Sequence, residues 1–180
     1  MVPLDQIREP VTADFLVGFT DIRGFLRITE VLTDSRAIFD FMDAVARISS
    51  RALDGTSGRI IKFIGDATMV LFPGEDADAG VSAMLGLKDA VDAHMAERGF
   101  DSRIRVGLHY GEATIGPFGP DRRLDVLGQT VNVASGTLST KRQADFVITP
   151  EAFQRLSPQS RKAFRRVGWT PGDTRYMLSR

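Results

Sequence analysis

The chain has 180 residues, 43% of them hydrophobic and 26% charged, with 23 basic and 23 acidic side chains and no cysteine. That composition describes one ordinary globular domain, long enough to bury a core of its own. It excludes disulfides and thiolate metal sites, and zero net charge argues against a general nucleic-acid binder.

The N-terminus, Met-Val-Pro-Leu-Asp-Gln-Ile-Arg-Glu, lacks the basic-then-apolar pattern of a signal peptide, and no run of about 18 apolar residues follows. The sequence therefore predicts no membrane segment and a cytoplasmic location. Residues 1–12, with two prolines, read as an N-terminal arm, and 13–180 as the domain proper. Ala13 to Thr20 is a compact apolar run expected to form a central strand. Between Ser35 and Leu53, Ile38, Phe39, Met42, Val45, Ala46 and Ile48 recur at helical spacing, with Asp34 or Ser35 as N-cap and Gly55 and Gly58 beyond the end. Arg59 to Phe72 reads as a hairpin turning at Ile64-Gly65-Asp66-Ala67 and stopped by Pro73-Gly74. Asp76 to Glu97 is a second amphipathic helix that leaves His94 exposed, and Arg103 to Tyr110 alternates like a strand.

Strand, helix, hairpin, helix, strand is the order of a ferredoxin-like βαββαβ sheet with both helices on one face. The expected C-terminal extension comprises a short strand at 123–127, a helix over 130–140, a strand at 146–149, a helix near 151–156 and a closing hairpin. One α+β domain results. Its charge is uneven: residues 1–120 carry 12 basic and 18 acidic groups, and 121–180 carry 11 and 5. A basic C-terminal third can meet phosphates or an acidic partner, or be a solvated face.

In that topology Asp21, closing the first strand, and Asp66, at the hairpin tip, lie side by side. With no obvious cationic neighbour they repel, and a divalent cation between them relieves the repulsion. Oxygen-only ligands favour Mg²⁺ or Mn²⁺. The backbone N–H groups of Ile22-Arg23-Gly24-Phe25 can cradle a triphosphate at a helix N-terminus. As isolated features both aspartates also read as turn formers.

Four motifs occur together: Phe19-Thr20-Asp21-Ile22-Arg23-Gly24-Phe25, Lys62-Phe63-Ile64-Gly65-Asp66, Gly107-Leu108-His109-Tyr110-Gly111 followed by Gly116, and Thr130-Val131-Asn132-Val133-Ala134-Ser135. In this order and spacing the chain resembles a class III nucleotidyl cyclase catalytic domain from about Phe15 to Leu178. The resemblance implies a head-to-tail homodimer with active sites between subunits, converting ATP to 3′,5′-cyclic AMP and pyrophosphate. Asp21, Asp66 and the Ile22 carbonyl are the implied ligands of two Mg²⁺ or Mn²⁺ ions per site, with Gly24 and Phe25 on the triphosphate. Lys62 and Asp125 fall where the family reads adenine, Lys donating to N1 and the carboxylate accepting from the 6-amino group. Guanylate cyclases of the family usually carry Glu and Cys there. Asn132 matches the residue that orients the ribose, and His109 is assigned a structural role.

Two positions depart from the pattern. Gly136 stands where the family places its transition-state arginine, and the closing hairpin offers no match at the phosphate-binding lysine. Leu26 also replaces the usual threonine. Lys141, Arg142, Arg122 and Arg123 are the candidate substitutes. The alternative to an active adenylate cyclase is a degenerate module that binds nucleotide or dimerises, including as a heterodimer completing a site with another cyclase chain. A small interaction domain with purely structural aspartates is the third reading.

Overall fold

A computed structural model describes residues 3–138, 144–170 and 173–179. In chain order the elements are β1 (Val11–Ile22), α1 (Phe25–Leu32), α2 (Ser35–Ala52), β2 (Arg59–Ile64), β3 (Ala67–Pro73), α3 (Ala77–Glu97), β4 (Ile104–Phe118), β5 (Arg123–Leu127), α4 (Gln129–Gly136), β6 (Phe146–Ile148), α5 (Pro150–Gln154), α6 (Pro158–Arg161), β7 (Phe164–Thr170) and β8 (Asp173–Leu178). One sheet runs β2-β3-β1-β4-β6-β8-β7, with β5 attached to β4 beside that path. The β2-β3-β1-β4 portion is the expected ferredoxin-like order, and β5 to β8 with their helices form the extension.

β1 is central because both of its faces are apolar. Phe15 to Thr20 are all buried. Leu16 joins the core beneath the helices with Phe41 and Val45 of α2, and with Val81, Met84, Leu87 and Val91 of α3. Phe15, Val17 and Phe19 point the other way, into a second core shared with Ala134 of α4 and with Leu4 and Ile7 of the arm. The period-two alternation of the strand thus feeds two layers, one under α2 and α3 and one under α4. Asp34 caps α2 as expected, its carboxylate accepting the N–H groups of Arg36 and Ala37 at 3.3 Å.

Several features differ from the sequence expectation, including the short helix α6. Helix α1 fills the stretch before Asp34, and its eight residues bury only Ile28, too few apolar positions to show a period. Strand β4 continues to Phe118 through Gly111, Gly116 and Pro117, residues that read as breakers. It is carried by β1 along one edge and by β5 along the other. His94 is half-buried rather than exposed, its ring stacked on Phe41 with centroids 6.2 Å apart. Residues 139–140, where the α4 helix was expected to end, lie outside the described residues, as do Lys141 and Arg142. Among the described residues no helix is long and apolar enough to cross a membrane.

The glycines of β4 have a specific use. A Cβ on Gly107 would collide with the Thr137 hydroxyl and stand 3.2 Å from the Ala134 carbonyl, and one on Gly111 would stand 2.9 Å from the Thr130 hydroxyl. Bare backbone at these two positions lets α4 lie flat on the sheet. Gly107→Ala is expected to destabilise the fold by about 1–3 kcal/mol, the usual cost of overpacking. Urea unfolding checks this, and an unchanged midpoint would contradict the close approach.

Candidate active site

Asp21 and Asp66 reach each other through strand pairing. β1 and β3 are antiparallel with Thr20 opposite Thr68, and Ile64 faces Ala67 across the turn between β2 and β3. That turn contains only Gly65, at φ 61°, and Asp66. Partial burial and then the charge of Asp21 hold the Asp66 carboxyl above its ordinary value, while the N–H groups of Asp66 and Ile22 bond to it and oppose the rise. A carboxyl pushed up by a second carboxyl is the electrostatic sign of a site that favours added positive charge.

The expectation that this pair has no cationic neighbour is corrected by β4. Its antiparallel register with β1 sets Arg105 opposite Asp21, and the Arg105 guanidinium is ion-paired to the Asp21 carboxylate. The same guanidinium donates to the Leu138 carbonyl at 3.1 Å, while its Nε is buried without a partner. Arg105 is therefore held between Asp21 and the Leu138 carbonyl just past α4. The sequence reading missed it because 84 residues separate the pair; only the register brings them together.

The donor set fits a hard divalent cation. Asp21, Asp66 and the Ile22 carbonyl offer oxygen alone, and among the described residues no group of three acidic, histidine or cysteine side chains converges. A cation held here would draw the rest of its shell from phosphate oxygens and water. Gly24 follows at φ 74°, a left-handed residue that caps α1, with the Arg23 N–H bonded to the Arg103 carbonyl at 2.9 Å. The turn starts α1 four residues after Asp21.

Lys62 and Asp125 come from different strands and meet. The Lys62 ammonium donates to the Asp125 carboxylate at 2.7 Å, and the other Asp125 oxygen accepts the Val126 N–H at 2.8 Å. A β-bulge makes this possible. Ile60 pairs with Val70 but Lys62 pairs with Met69, leaving Ile61 as the extra residue. Val70 belongs to the core under α2 and α3, and Met69 to the core under α4. The bulge thus turns Lys62 from the helix side to the α4 side, where Asp125 stands. A pocket of about 450 Å³ opens beside the pair, walled by Phe63, Phe118 and Leu124. The consecutive isoleucines at 60 and 61, which break alternation, are the signal in the sequence.

Asn132 and Gly136 are both exposed, one turn apart on α4. Nothing lies within 4 Å of a Cβ placed on Gly136. His109 stands apart from this chemistry. Its Nδ1 lies 2.8 Å from the Thr149 hydroxyl, and burial lowers its pKa below 6.5 against the opposing pull of Glu151.

Known proteins share this fold. The family described as "Adenylate and Guanylate cyclase catalytic domain" matches residues 9–171. The chain belongs to this cyclase catalytic domain family. An adenylate cyclase of Anabaena cylindrica is 31% identical over 162 residues, covering 83% of this chain and 32% of the relative. The terminal-differentiation specific adenylate cyclase of Dictyostelium discoideum is 31% identical over 153 residues, covering 78% of this chain and 7% of the relative. The cyclase domain thus spans a third or less of either relative. Among solved structures, the adenylyl cyclase CyaB from P. aeruginosa superposes with a TM-score of 0.77 at 26% identity, covering 96% of each chain. A guanylyl cyclase domain from Blastocladiella emersonii, solved as a monomer, shares the fold with a TM-score of 0.80 at 19% identity, covering 95% of this chain and 97% of its own.

The raised Asp66 carboxyl has a consequence for stability. Its folded pKa exceeds the ordinary carboxyl value of 3.8, so between the two values the folded state binds more protons than the unfolded one. Stability falls as pH rises through that window and stays lower above it. Asp66→Asn is therefore expected to raise the melting temperature of chelator-treated protein at pH 7. A lower melting temperature would show that Asp66 is a stabilising turn residue instead.

Proposed function

We propose that this cyclase domain is an adenylate cyclase, forming 3′,5′-cyclic AMP and pyrophosphate from ATP at sites shared between two copies of the chain. The observation that carries the reading is the 2.7 Å bridge between Lys62 and Asp125. It sets an ammonium donor beside a carboxylate acceptor, the polarity that matches adenine N1 and the 6-amino group. Guanine, with O6 and N1–H, presents the reverse. The purine enters by replacing one internal ion pair with two hydrogen bonds of its own, so little net charge is left unpaired.

On this reading Asn132 orients the ribose, and the N–H groups at Gly24 and Phe25 receive the triphosphate. Asp21, Asp66 and the Ile22 carbonyl hold two Mg²⁺ or Mn²⁺ ions, with Arg105 countering part of the Asp21 charge. When bound, the ions supply Lewis acidity toward the ribose 3′-hydroxyl and the phosphates. The 3′-oxygen forms a bond to the α-phosphorus as the bond to the bridging oxygen breaks. The hydroxyl proton passes to solvent and pyrophosphate leaves. Positioning and charge account for the catalysis.

Exposed apolar side chains flank both halves of the site and support the dimer. Leu26 follows the Gly24 turn at 77% exposure, Phe63 and Phe118 wall the pocket beside the Lys62–Asp125 pair at 48% and 56%, and Ile64 and Leu127, two residues from each reader, are 49% and 51% exposed. A head-to-tail arrangement would bring the metal half of one copy against the purine half of the other.

Gly136 favours a second reading, a module that binds nucleotide without useful turnover. In other phosphoryl-transfer enzymes an arginine at the reacting phosphate is worth about 10³–10⁵ in rate. Incubation with Mn²⁺–ATP and measurement of cyclic AMP separates the two. The wild type is expected to give slow product, Asp21→Ala none, and Gly136→Arg more, since open space surrounds that position. No product from the wild type, with product from Gly136→Arg, would establish the degenerate module. The double variant Lys62→Glu with Asp125→Cys is expected to shift product from cyclic AMP toward cyclic GMP. Unchanged nucleotide preference would remove the purine assignment.

A further inference from the structure

The N-terminal arm is built into the purine half of the site. Leu4–Gln6 form one 3₁₀ turn, and Leu4 and Ile7 are only 5% and 6% exposed. Both belong to the core on the α4 face, which contains Leu71 and Val126 and takes in Ile61 and Leu124 at its margin. Ile61 immediately precedes Lys62, and Leu124 immediately precedes Asp125.

Two further contacts give the arm direction. The Arg59 guanidinium donates to the Leu4 carbonyl at 3.3 Å, and Arg59 pairs with Leu71 just before the Ile61 bulge that turns Lys62 over. Pro10 crosses Gly116 so closely that a Cβ there would stand 2.8 Å from the Pro10 Cα. Gly116 is the register partner of Asp125. The arm therefore touches β2 just ahead of Lys62, and touches β4 where it carries Asp125.

This matters because no backbone ladder sets the distance between the two readers. β2 pairs with β3 alone and β5 with β4 alone. The only direct polar tie described between the two strands is the Lys62–Asp125 bridge, and an entering purine must open it. Side-chain packing then decides how far the ammonium and carboxylate stand apart.

We infer that the N-terminal arm is the strut that sets the spacing of Lys62 and Asp125 once their bridge opens, which makes Arg59 a positioning residue for purine selectivity. The inference rests on the proposed adenine-reading role of that pair. Arg59 acts through β2 and the arm, not on the nucleotide. Losing its bond to Leu4 lets the strand ahead of the bulge relax, and the donor and acceptor no longer match the adenine edge.

Calorimetric titration of the full chain with 3′-deoxy-ATP and 3′-deoxy-GTP in Mn²⁺, which cannot cyclise, tests this in the wild type, Arg59→Ala, Arg59→Lys, Leu4→Ala and Lys62→Ala. Arg59→Ala is expected to weaken 3′-deoxy-ATP binding about three- to tenfold, the scale of one part-buried hydrogen bond, with 3′-deoxy-GTP binding unchanged. Leu4→Ala should reproduce the loss of selectivity and Arg59→Lys should restore most of it, at melting temperatures recorded for each variant. Equal losses for both nucleotides, or none in Arg59→Ala, would overturn the strut. If Lys62→Ala abolishes selectivity while Arg59→Ala keeps it, the strut alone fails. If the wild type or Lys62→Ala binds with the same selectivity as the other, the adenine-reading role fails and the strut with it.

Discussion

The antiparallel pairing of β1 with β4 is the constraint on which the rest depends. It runs without a break from Val11 opposite Ile115 to Ile22 opposite Ile104. At one end it sets Asp21 against Arg105. At its middle it exposes Gly107 and Gly111 to α4. Toward the other end it leads β4 on to β5 and so delivers Asp125. A one-residue slip would exchange the two core faces and reverse every side chain involved. The residues of β1 resist such a slip because both faces are buried, with Phe15 and Leu16 wholly inaccessible on opposite sides.

Charge in the candidate site is arranged in two opposite-sign pairs. Arg105 with Asp21 and Lys62 with Asp125 are each partly buried, where desolvation offsets much of the Coulombic gain. Neither is a strong stabiliser of the fold. Each instead keeps a partly buried charge compensated. Lys88 shows the contrasting, structural use of such a pair. It is 3% exposed, bonds to Asp92 at 2.6 Å and to the Ile104 carbonyl at 3.0 Å, and ties α3 to the start of β4.

Family membership and chemistry rest on different parts of the chain. The sheet order and the four motifs carry the family. On the proposed reading Gly136 and the closing hairpin bear on the rate, because they stand where the family places the groups that meet charge developing on the phosphates. On that reading binding and turnover are separable for a physical reason: the proposed metal and purine ligands lie on β1 to β5, whereas the transition-state donor would belong to another element, α4.

Local pattern alone determined the strands, the two long helices, the Asp34 cap and the tight turn at Gly65-Asp66, since each depends on neighbours within a few residues. The motif series also identified Lys62, Asp125 and Asn132 as candidates. Tertiary structure decided what depends on pairing between distant strands. Arg105 became the partner of Asp21 through register, and the Ile61 bulge chose the face on which Lys62 stands. The continuation of β4 past Gly111 depended on β1 and β5. The arm was legible as a segment, but its burial against the core under α4 was not, because two isolated apolar residues carry no period. Sequence spacing records which side chains share a face of one element. The distance between two elements is set only when both pack on a third.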